Sequence, residues 1–147
     1  MKITKKLGAG WNGKAELMHS EGYWTNGHWL LRDDVVACSA PPTSDRTPPV
    51  KQLVDKELKT AVVAAENSEL SIKGVVLLTT PGGTPLCWVQ GMYATAFKDF
   101  NLFASEESEL LPVHMYKDKE FVGLLMPCRA PNFAPATLIA AAKKQWE

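Results

Sequence analysis

The N-terminal part of the chain places aromatic residues on both sides of a sharp turn signal. Residues 22–32 read Gly-Tyr-Trp-Thr-Asn-Gly-His-Trp-Leu-Leu-Arg. The Asn26-Gly27 pair suits a type I′ turn, because both central residues of that turn take positive φ. We therefore predict a β-hairpin here, within a strand-rich segment 1–36, and we expect Trp24 and Trp29 to pair across its strands.

Apolar residues recur at helical spacing after a proline-rich connector at residues 39–49. Prolines fix φ and remove backbone donors, so the connector is predicted to be a loop. Thr47 is a candidate N-cap, and Pro48 suits the first turn of a helix. An amphipathic helix is predicted from Pro48 to about Glu66, with an apolar face made of Val50, Val54, Leu58, Ala61, Val62 and Ala65.

The rest of the chain alternates short apolar runs with turn signals. The predicted elements are a strand at 71–80, a turn at 81–84, a strand at 85–89, a short helix within 90–99, a strand at 101–104, an acidic loop at 105–110, a hairpin formed by 112–116 and 121–126, and a helix from 135 to about 146. Strands joined by tight hairpins favour antiparallel pairing. We predict one α+β domain over residues 1–147, in which an antiparallel sheet of short strands packs against the amphipathic helix, with a C-terminal helix.

Composition and charge narrow the functional classes. The 147 residues are 46% hydrophobic and 22% charged, which is typical of a globular protein. Lys plus Arg and Asp plus Glu both number 16, so the net charge is zero and nucleic acid is not favoured as a partner by bulk electrostatics. The three cysteines form no CxxC motif, and the chain has no secretory signal or bilayer-length apolar run. We expect a soluble cytoplasmic protein in a reducing compartment.

Motifs for nucleotide or metal binding are weak. The glycines of residues 8–13 have the interval of a dinucleotide fingerprint, but they precede no recognisable βαβ unit. His19, His28 and Cys38 match no zinc-module spacing. The sequence therefore predicts no cofactor, no metal and no catalytic residue.

Cys87 and His114 leave an enzymatic alternative open. Both residues lie in predicted strands, so the fold could bring a thiol and a base together. The surrounding Pro85-Leu86-Cys87-Trp88 segment is typical of a core strand. An enzyme of unknown class is accordingly an alternative hypothesis.

Aromatic and basic residues cluster in the N-terminal segment. The aromatic members and their neighbours are Trp11, Tyr23, Trp24, His28, Trp29 and Arg32. Such residues can stack on bases or anchor a protein partner, but alternate aromatics of a hairpin can equally be core. A nucleic-acid-binding alternative would use Lys5, Lys6, Trp11 and Arg32, with support from Lys2 and Lys14.

The C-terminal half resembles the last domain of a bacterial DNA polymerase sliding clamp. The resemblance covers about residues 70–130 and rests on the order of elements from Trp88–Lys98 to the Met126-Pro127-Cys128-Arg129 motif. In clamps, a terminal Met-Pro-x-Arg segment helps to line a pocket for short linear peptides of polymerases and repair proteins. The resemblance implies that Met126, Pro127 and Arg129 contribute to a similar pocket here.

The chain also departs from the clamp pattern. A clamp subunit has three domains and ends just after this motif, whereas residues 130–147 follow it here. The resemblance implies a clamp-like phage or mobile-element protein rather than a DNA-encircling ring. Our leading hypothesis is a non-enzymatic protein that binds another protein, linked to DNA replication or mobile-element biology, with Met126, Pro127, Arg129, Trp24 and Trp29 as contact residues. Edge strands could also form a homodimer.

Overall fold

The computed structural model describes residues 1–37 and 41–129 and has an α+β fold. None of the helices in this described part is long and apolar enough to cross a membrane. The helices are α1 (Lys5–Ala9), α2 (Val50–Glu57) and α3 (Gly91–Ala96), with a 3₁₀ turn at Asp33–Val35. The strands are β1 (Met18–Ser20), β2 (Tyr23–Thr25), β3 (Trp29–Arg32), β4 (Val63–Ile72), β5 (Val75–Thr79), β6 (Pro85–Gln90), β7 (Asn101–Ala104), β8 (Val113–Lys117) and β9 (Glu120–Leu125).

The described strands form one antiparallel sheet built from three meanders. Its order is β1-β2-β3-β9-β8-β7-β4-β5-β6, so each group of three consecutive strands stays together. The last meander, β7 to β9, lies between the other two. It joins the first meander where β9 pairs with β3, and it joins the second where β7 pairs with β4. The predicted antiparallel sheet is confirmed.

The predicted N-terminal hairpin is present, but its turn is of another type. Tyr23–Thr25 pairs with Leu30–Arg32, which leaves a loop at residues 26–28. Gly27 has a positive φ of 88°, whereas Asn26 is not in the left-handed region that a type I′ turn requires. Trp24 consequently lies opposite Leu31, so the expected pairing with Trp29 is wrong.

Asn26 is instead a buried connector between the hairpin and α1. Its side-chain oxygen accepts hydrogen bonds from the backbone N–H groups of His28 and Trp29 at 2.8 and 3.2 Å. Its side-chain nitrogen donates to the carbonyl oxygens of Leu7 and Gly8 at 3.2 and 3.3 Å. One amide therefore fixes the loop and attaches a helix that our strand-rich prediction for residues 1–36 missed.

Two-residue turns with positive φ occur elsewhere. Lys73 and Gly74 join β4 to β5 with φ of 46° and 85°. They interrupt the strand predicted at 71–80, so Ser71 and Ile72 belong to β4 and the next strand begins at Val75. Asp118 and Lys119, with φ of 52° and 69°, close the predicted charged hairpin between β8 and β9.

The helix predicted from Pro48 to Glu66 is correct only in its first half. α2 ends at Glu57, and β4 begins at Val63. The first residues of β4 pair with β7, and the later ones pair with β5, so strand pairing replaces the predicted helix from Val63 onward. At the other end, Pro49 occupies the N-cap position, and the expected Thr47 cap is absent.

The remaining predicted strands and the short helix within 90–99 are observed as β6, α3, β7, β8 and β9. The helix predicted from 135 to about 146 lies outside the described residues. Helices α1 and α3 contribute to the main core on one side of the sheet, where Trp29, Tyr93 and Phe97 are the largest fully buried side chains. α2 packs through Val50 and Val54 against Leu30 and Leu124.

Two ionisable side chains, Glu57 at the end of α2 and His114 on β8, are buried close to each other. Glu57 and His114 are 5% and 1% exposed, and their nearest side-chain atoms, Oε2 and Nε2, are 4.0 Å apart. Neither of these two atoms has a hydrogen-bond partner. His114 lies opposite Leu124 and in edge contact with the ring of Phe121, and this burial lowers the pKa of the imidazole. The neutral imidazole is therefore favoured in the folded state.

Gly123 provides a first test of the packing between β3 and β9. A Cβ at this position would collide with the carbonyl oxygen of Leu30 and press on the Met115 side chain. We expect Gly123→Ala to lower the free energy of unfolding by about 3 kcal/mol, since backbone on both strands must shift. Urea denaturation measures this change.

The control for this substitution is Gly82→Ala in the β5–β6 turn. A Cβ there would meet only Thr80 Oγ1 at an ordinary 3.8 Å. We expect a change within about 0.5 kcal/mol. Equal effects of the two substitutions would contradict the close approach of β3 and β9.

His114 provides a second test through the pH dependence of stability. Because its pKa is lowered in the folded protein, the unfolded chain binds the proton more readily below the ordinary value of 6.5. The stability from a neutral His114 is fully present above that value and is lost as the pH falls through the folded pKa. We expect wild type to lose more stability between about pH 7.5 and 5.5 than His114→Gln does. His19→Gln controls for the number of histidines, and equal losses in wild type and His114→Gln would contradict the role of His114.

Candidate interaction surface

The segment that follows β9 crosses between two distant parts of the sheet. The backbone N–H of Met126 donates to the carbonyl oxygen of His28 at 2.8 Å, which extends the pairing of β3 and β9. Two residues later, the N–H of Cys128 donates to the carbonyl oxygen of Trp88 on β6, also at 2.8 Å. Because β6 is at the far end of the strand order, the sheet must curve strongly.

Trp11 lies beside the start of this segment. The loop after α1 presents the indole with 54% of the residue exposed. Its backbone N–H donates to the hydroxyl of the buried Tyr93 at 3.3 Å. Its ring meets the His28 ring edge-on at 6.4 Å between centroids, and His28 in turn stacks on Tyr93 at 6.2 Å. The backbone of Trp11 is therefore attached to Tyr93, and its indole contacts the His28 ring.

Gly10 allows the loop to approach Tyr93 this closely. Its φ of 79° is in the left-handed region, and a Cβ there would lie 3.0 Å from the Tyr93 hydroxyl. A larger residue would displace the Tyr93 hydroxyl, which accepts the hydrogen bond from the Trp11 N–H. The glycine-rich segment 8–13 thus positions an aromatic ring.

The exposed residues Trp11 and Met126 are both linked to the half-buried His28, and we name these three residues the Trp11 surface. Met126 is 38% exposed and is joined through the backbone of His28 to the ring that contacts Trp11. The sequence predicted Trp11 and Met126 as contact residues for two different partners. His28 connects them, and no pattern in the sequence indicated its bridging position.

The neighbouring residues of the clamp-like motif differ in accessibility. Pro127 is half-buried and Arg129 is exposed. Cys128 is half-buried, and its burial raises the pKa of the thiol. Its Sγ also lies 3.5 Å from the carbonyl oxygen of Trp88. Met126 and Arg129 therefore offer the accessible side chains of the motif.

The two tryptophans of the hairpin do not share this surface. Trp29 is 1% exposed, and its indole N–H donates to the carbonyl oxygen of Leu7 at 3.2 Å, which makes it a core residue. Trp24 is half-buried and its ring lies 4.7 Å from the ring of His19. Of the alternatives drawn from the sequence, the structure favours core packing for Trp29.

The predicted basic residues separate into two groups. Lys5, Lys6 and Lys14 are exposed on α1 and the loop that carries Trp11. Arg32 is at the opposite end of β3 from His28, about 13 Å along the strand. Its guanidinium donates to Asp34 at 2.6 and 2.7 Å and to Glu120 at 3.0 Å. These hydrogen bonds raise the pKa of Arg32, the bond to Asp34 contributing more than the bond to Glu120, and they occupy its donors. Arg32 therefore does not belong with Lys5, Lys6 and Trp11.

Cys87 and His114 do not form the catalytic pair that the enzymatic alternative needs. Cys87 lies in β6 with 2% exposure, and burial raises its pKa to about 12. His114 lies in β8, where its Nε2 has no hydrogen-bond partner and is 4.0 Å from the Glu57 carboxylate. A protonated, inaccessible thiol is a poor nucleophile.

Residues 1–37 and 41–129 contain no group of three or more His, Cys, Asp or Glu side chains placed to hold a metal ion. His19 Nε2 donates to Asp33 Oδ1 at 2.6 Å, and His28 belongs to the Trp11 surface. Cys38 lies outside the described residues.

No match to this chain is found among protein-family models, curated proteins or solved structures.

Proposed function

We propose that the protein is a non-enzymatic binding protein and that it contacts a protein partner through the Trp11 surface. The observation that carries the proposal is the exposed indole of Trp11, which contacts the His28 ring and whose backbone is hydrogen-bonded to the Tyr93 hydroxyl. Tryptophan is enriched among residues that dominate binding energies. An aromatic anchor that is already fixed also loses little conformational entropy on binding.

Met126 gives the Trp11 surface an adaptable component. An unbranched thioether fits irregular apolar surfaces, so a methionine beside a rigid indole suits contact with side chains of a partner. The net charge of zero does not supply the bulk attraction that most nucleic-acid-binding domains use. These features favour a protein partner.

The resemblance to sliding clamps suggests which partner to test first. Met126, Pro127 and Arg129 occupy the Met-Pro-x-Arg positions that help to line the peptide pocket in clamps, and Met126 belongs to the Trp11 surface. We propose short linear peptides of replication proteins as the first partner class, in a phage or mobile-element context. A homodimer formed through sheet edges is a further part of this proposal.

A second candidate function is binding of single-stranded nucleic acid. Trp11 is exposed, and three exposed lysines, Lys5, Lys6 and Lys14, flank it in a segment whose first acidic residue is Glu16. A stacking ring with nearby cations is a typical arrangement for binding single strands. The engagement of Arg32 by Asp34 and Glu120 removes one of the cations that the sequence had suggested.

Photo-crosslinking tests the protein-binding proposal. A photoreactive residue at position 12, next to Trp11, or at position 126 should crosslink to the same partner in cell extract, because both positions adjoin the Trp11 indole or belong to its surface. We expect Trp11→Ala to reduce capture by the position-126 probe at least about tenfold, the equivalent of about 1.4 kcal/mol.

The matched control is a probe at position 110. Leu110 is a large apolar residue with 51% exposure outside the Trp11 surface. Its probe should not capture that partner. If all three positions capture the same proteins, or if Trp11→Ala has no effect, the Trp11 surface is not the contact site.

A fluorescent oligonucleotide tests the second candidate. If Trp11 and its lysines bind single strands, affinity should fall steeply with salt, by a log–log slope of about −0.7 for each phosphate neutralised. Trp11→Ala and Lys14→Glu should both weaken binding, whereas Lys51→Glu on α2 should not. No anisotropy change at low salt would eliminate this candidate.

A further inference from the structure

A groove lies between the N-terminal segment and α3, and it shares no residue with the Trp11 surface. Its volume is about 310 Å³. Leu7 is buried, and Met1, Met92 and Ala96 are partly buried, so these four side chains give the groove an apolar floor. The exposed Lys2 and Lys6 also line it and place two ammonium groups at its rim.

The two charged residues that line this groove, Lys2 and Lys6, are both basic. The first 15 residues contain four lysines and no acidic residue, although the whole chain is neutral. Among the described residues, the ion pairs involve neither Lys2 nor Lys6. The N-terminal ammonium donates to the carbonyl oxygen of Val35 at 2.7 Å, which anchors Met1 beside the groove. The groove is thus apolar inside and positively charged at its edge.

We propose that this groove docks an acidic linear segment of a partner protein. An apolar side chain of the segment would lie on Leu7, Met92 and Ala96, and flanking carboxylates would pair with Lys2 and Lys6. Apolar contact supplies affinity, and complementary charge supplies specificity and a faster encounter. The groove goes beyond the proposed function, because it is a separate site with its own partner chemistry.

Nucleic acid suits this groove less well than an acidic peptide. Single strands bind by stacking bases on aromatic rings, and within residues 1–37 and 41–129 no aromatic side chain lines the groove. Two lysines can neutralise only a few phosphates of a nucleic acid. The apolar floor also gives its bases no ring to stack on. A short peptide with one apolar residue between carboxylates matches both features.

Selection from a displayed library of random peptides tests the proposal. The bait is the full chain with a C-terminal tag, because Met1 lines the groove. We expect enriched peptides to combine an apolar residue with flanking Asp or Glu. In anisotropy titrations, the variant that combines Lys2→Glu with Lys6→Glu should bind the labelled peptide at least about tenfold more weakly than the wild type does. Met92→Asp should have a similar effect, and added salt should weaken binding to the wild type.

The control variant combines Lys51→Glu with Lys117→Glu. Both lysines are exposed, and neither lines the groove, so the same charge reversal should change affinity less than about twofold. Unchanged circular dichroism spectra establish that each variant is folded.

Three outcomes would overturn the proposal. The first is enrichment of no peptides, or of peptides without acidic residues. The second is peptide binding that is lost in Trp11→Ala but retained in the Lys2→Glu and Lys6→Glu variant, which would place the peptide on the Trp11 surface. The third is binding of a single-stranded oligonucleotide, in place of peptides, that depends on Lys2 and Lys6.

Discussion

The close pairing of β3 with β9 is the constraint on which the rest of this structure depends. The two backbones approach so closely at Gly123 that no side chain fits against the carbonyl oxygen of Leu30. This pairing attaches the first meander to the last one, and it places Leu30 beside Leu124, where α2 packs. Its continuation beyond β9 is the hydrogen bond from Met126 to His28, so the Trp11 surface begins where the pairing ends.

Positioning of Trp11 depends on residues that are far apart in the chain. The amide of Asn26 attaches α1 to the hairpin, and the hydroxyl of Tyr93 holds the loop that follows α1. Both anchoring groups are buried, so moving either one leaves buried polar atoms without hydrogen-bond partners, which is costly. An exposed ring is in this way fixed by the core beneath it, which is how a surface loop becomes suited to recognition.

Local chemistry was sufficient to predict the elements that depend on neighbouring residues. The hairpin between β8 and β9, the turn before β6 and the short helix α3 follow from turn residues and apolar runs in their own segments. Residues 58–66 were assigned wrongly because Leu58, Ala61 and Ala65 have the spacing of a helix. In the structure α2 ends at Glu57, and pairing with β7 makes a strand from Val63 onward. Asn26-Gly27 has the composition of a type I′ turn, but the contacts of the Asn26 amide with α1 select another loop. The Trp11 surface combines residues from three segments: the pairing of β3 with β9 brings Met126 to His28, and the loop after α1 brings Trp11 to His28. The sliding-clamp resemblance remains a prediction from the Met126–Arg129 motif.

The strand order has a consequence for synthesis of the chain on the ribosome. β3 emerges about ninety residues before β9, its partner in the finished sheet, because the meander that contains β9 is translated last. At elongation rates of roughly 5–20 residues per second, the edge of β3 stays open for several seconds. During that interval the first meander carries unpaired backbone groups and uncovered tryptophans. Its strands have only three or four residues each, and such short edges give another nascent chain little length to pair with.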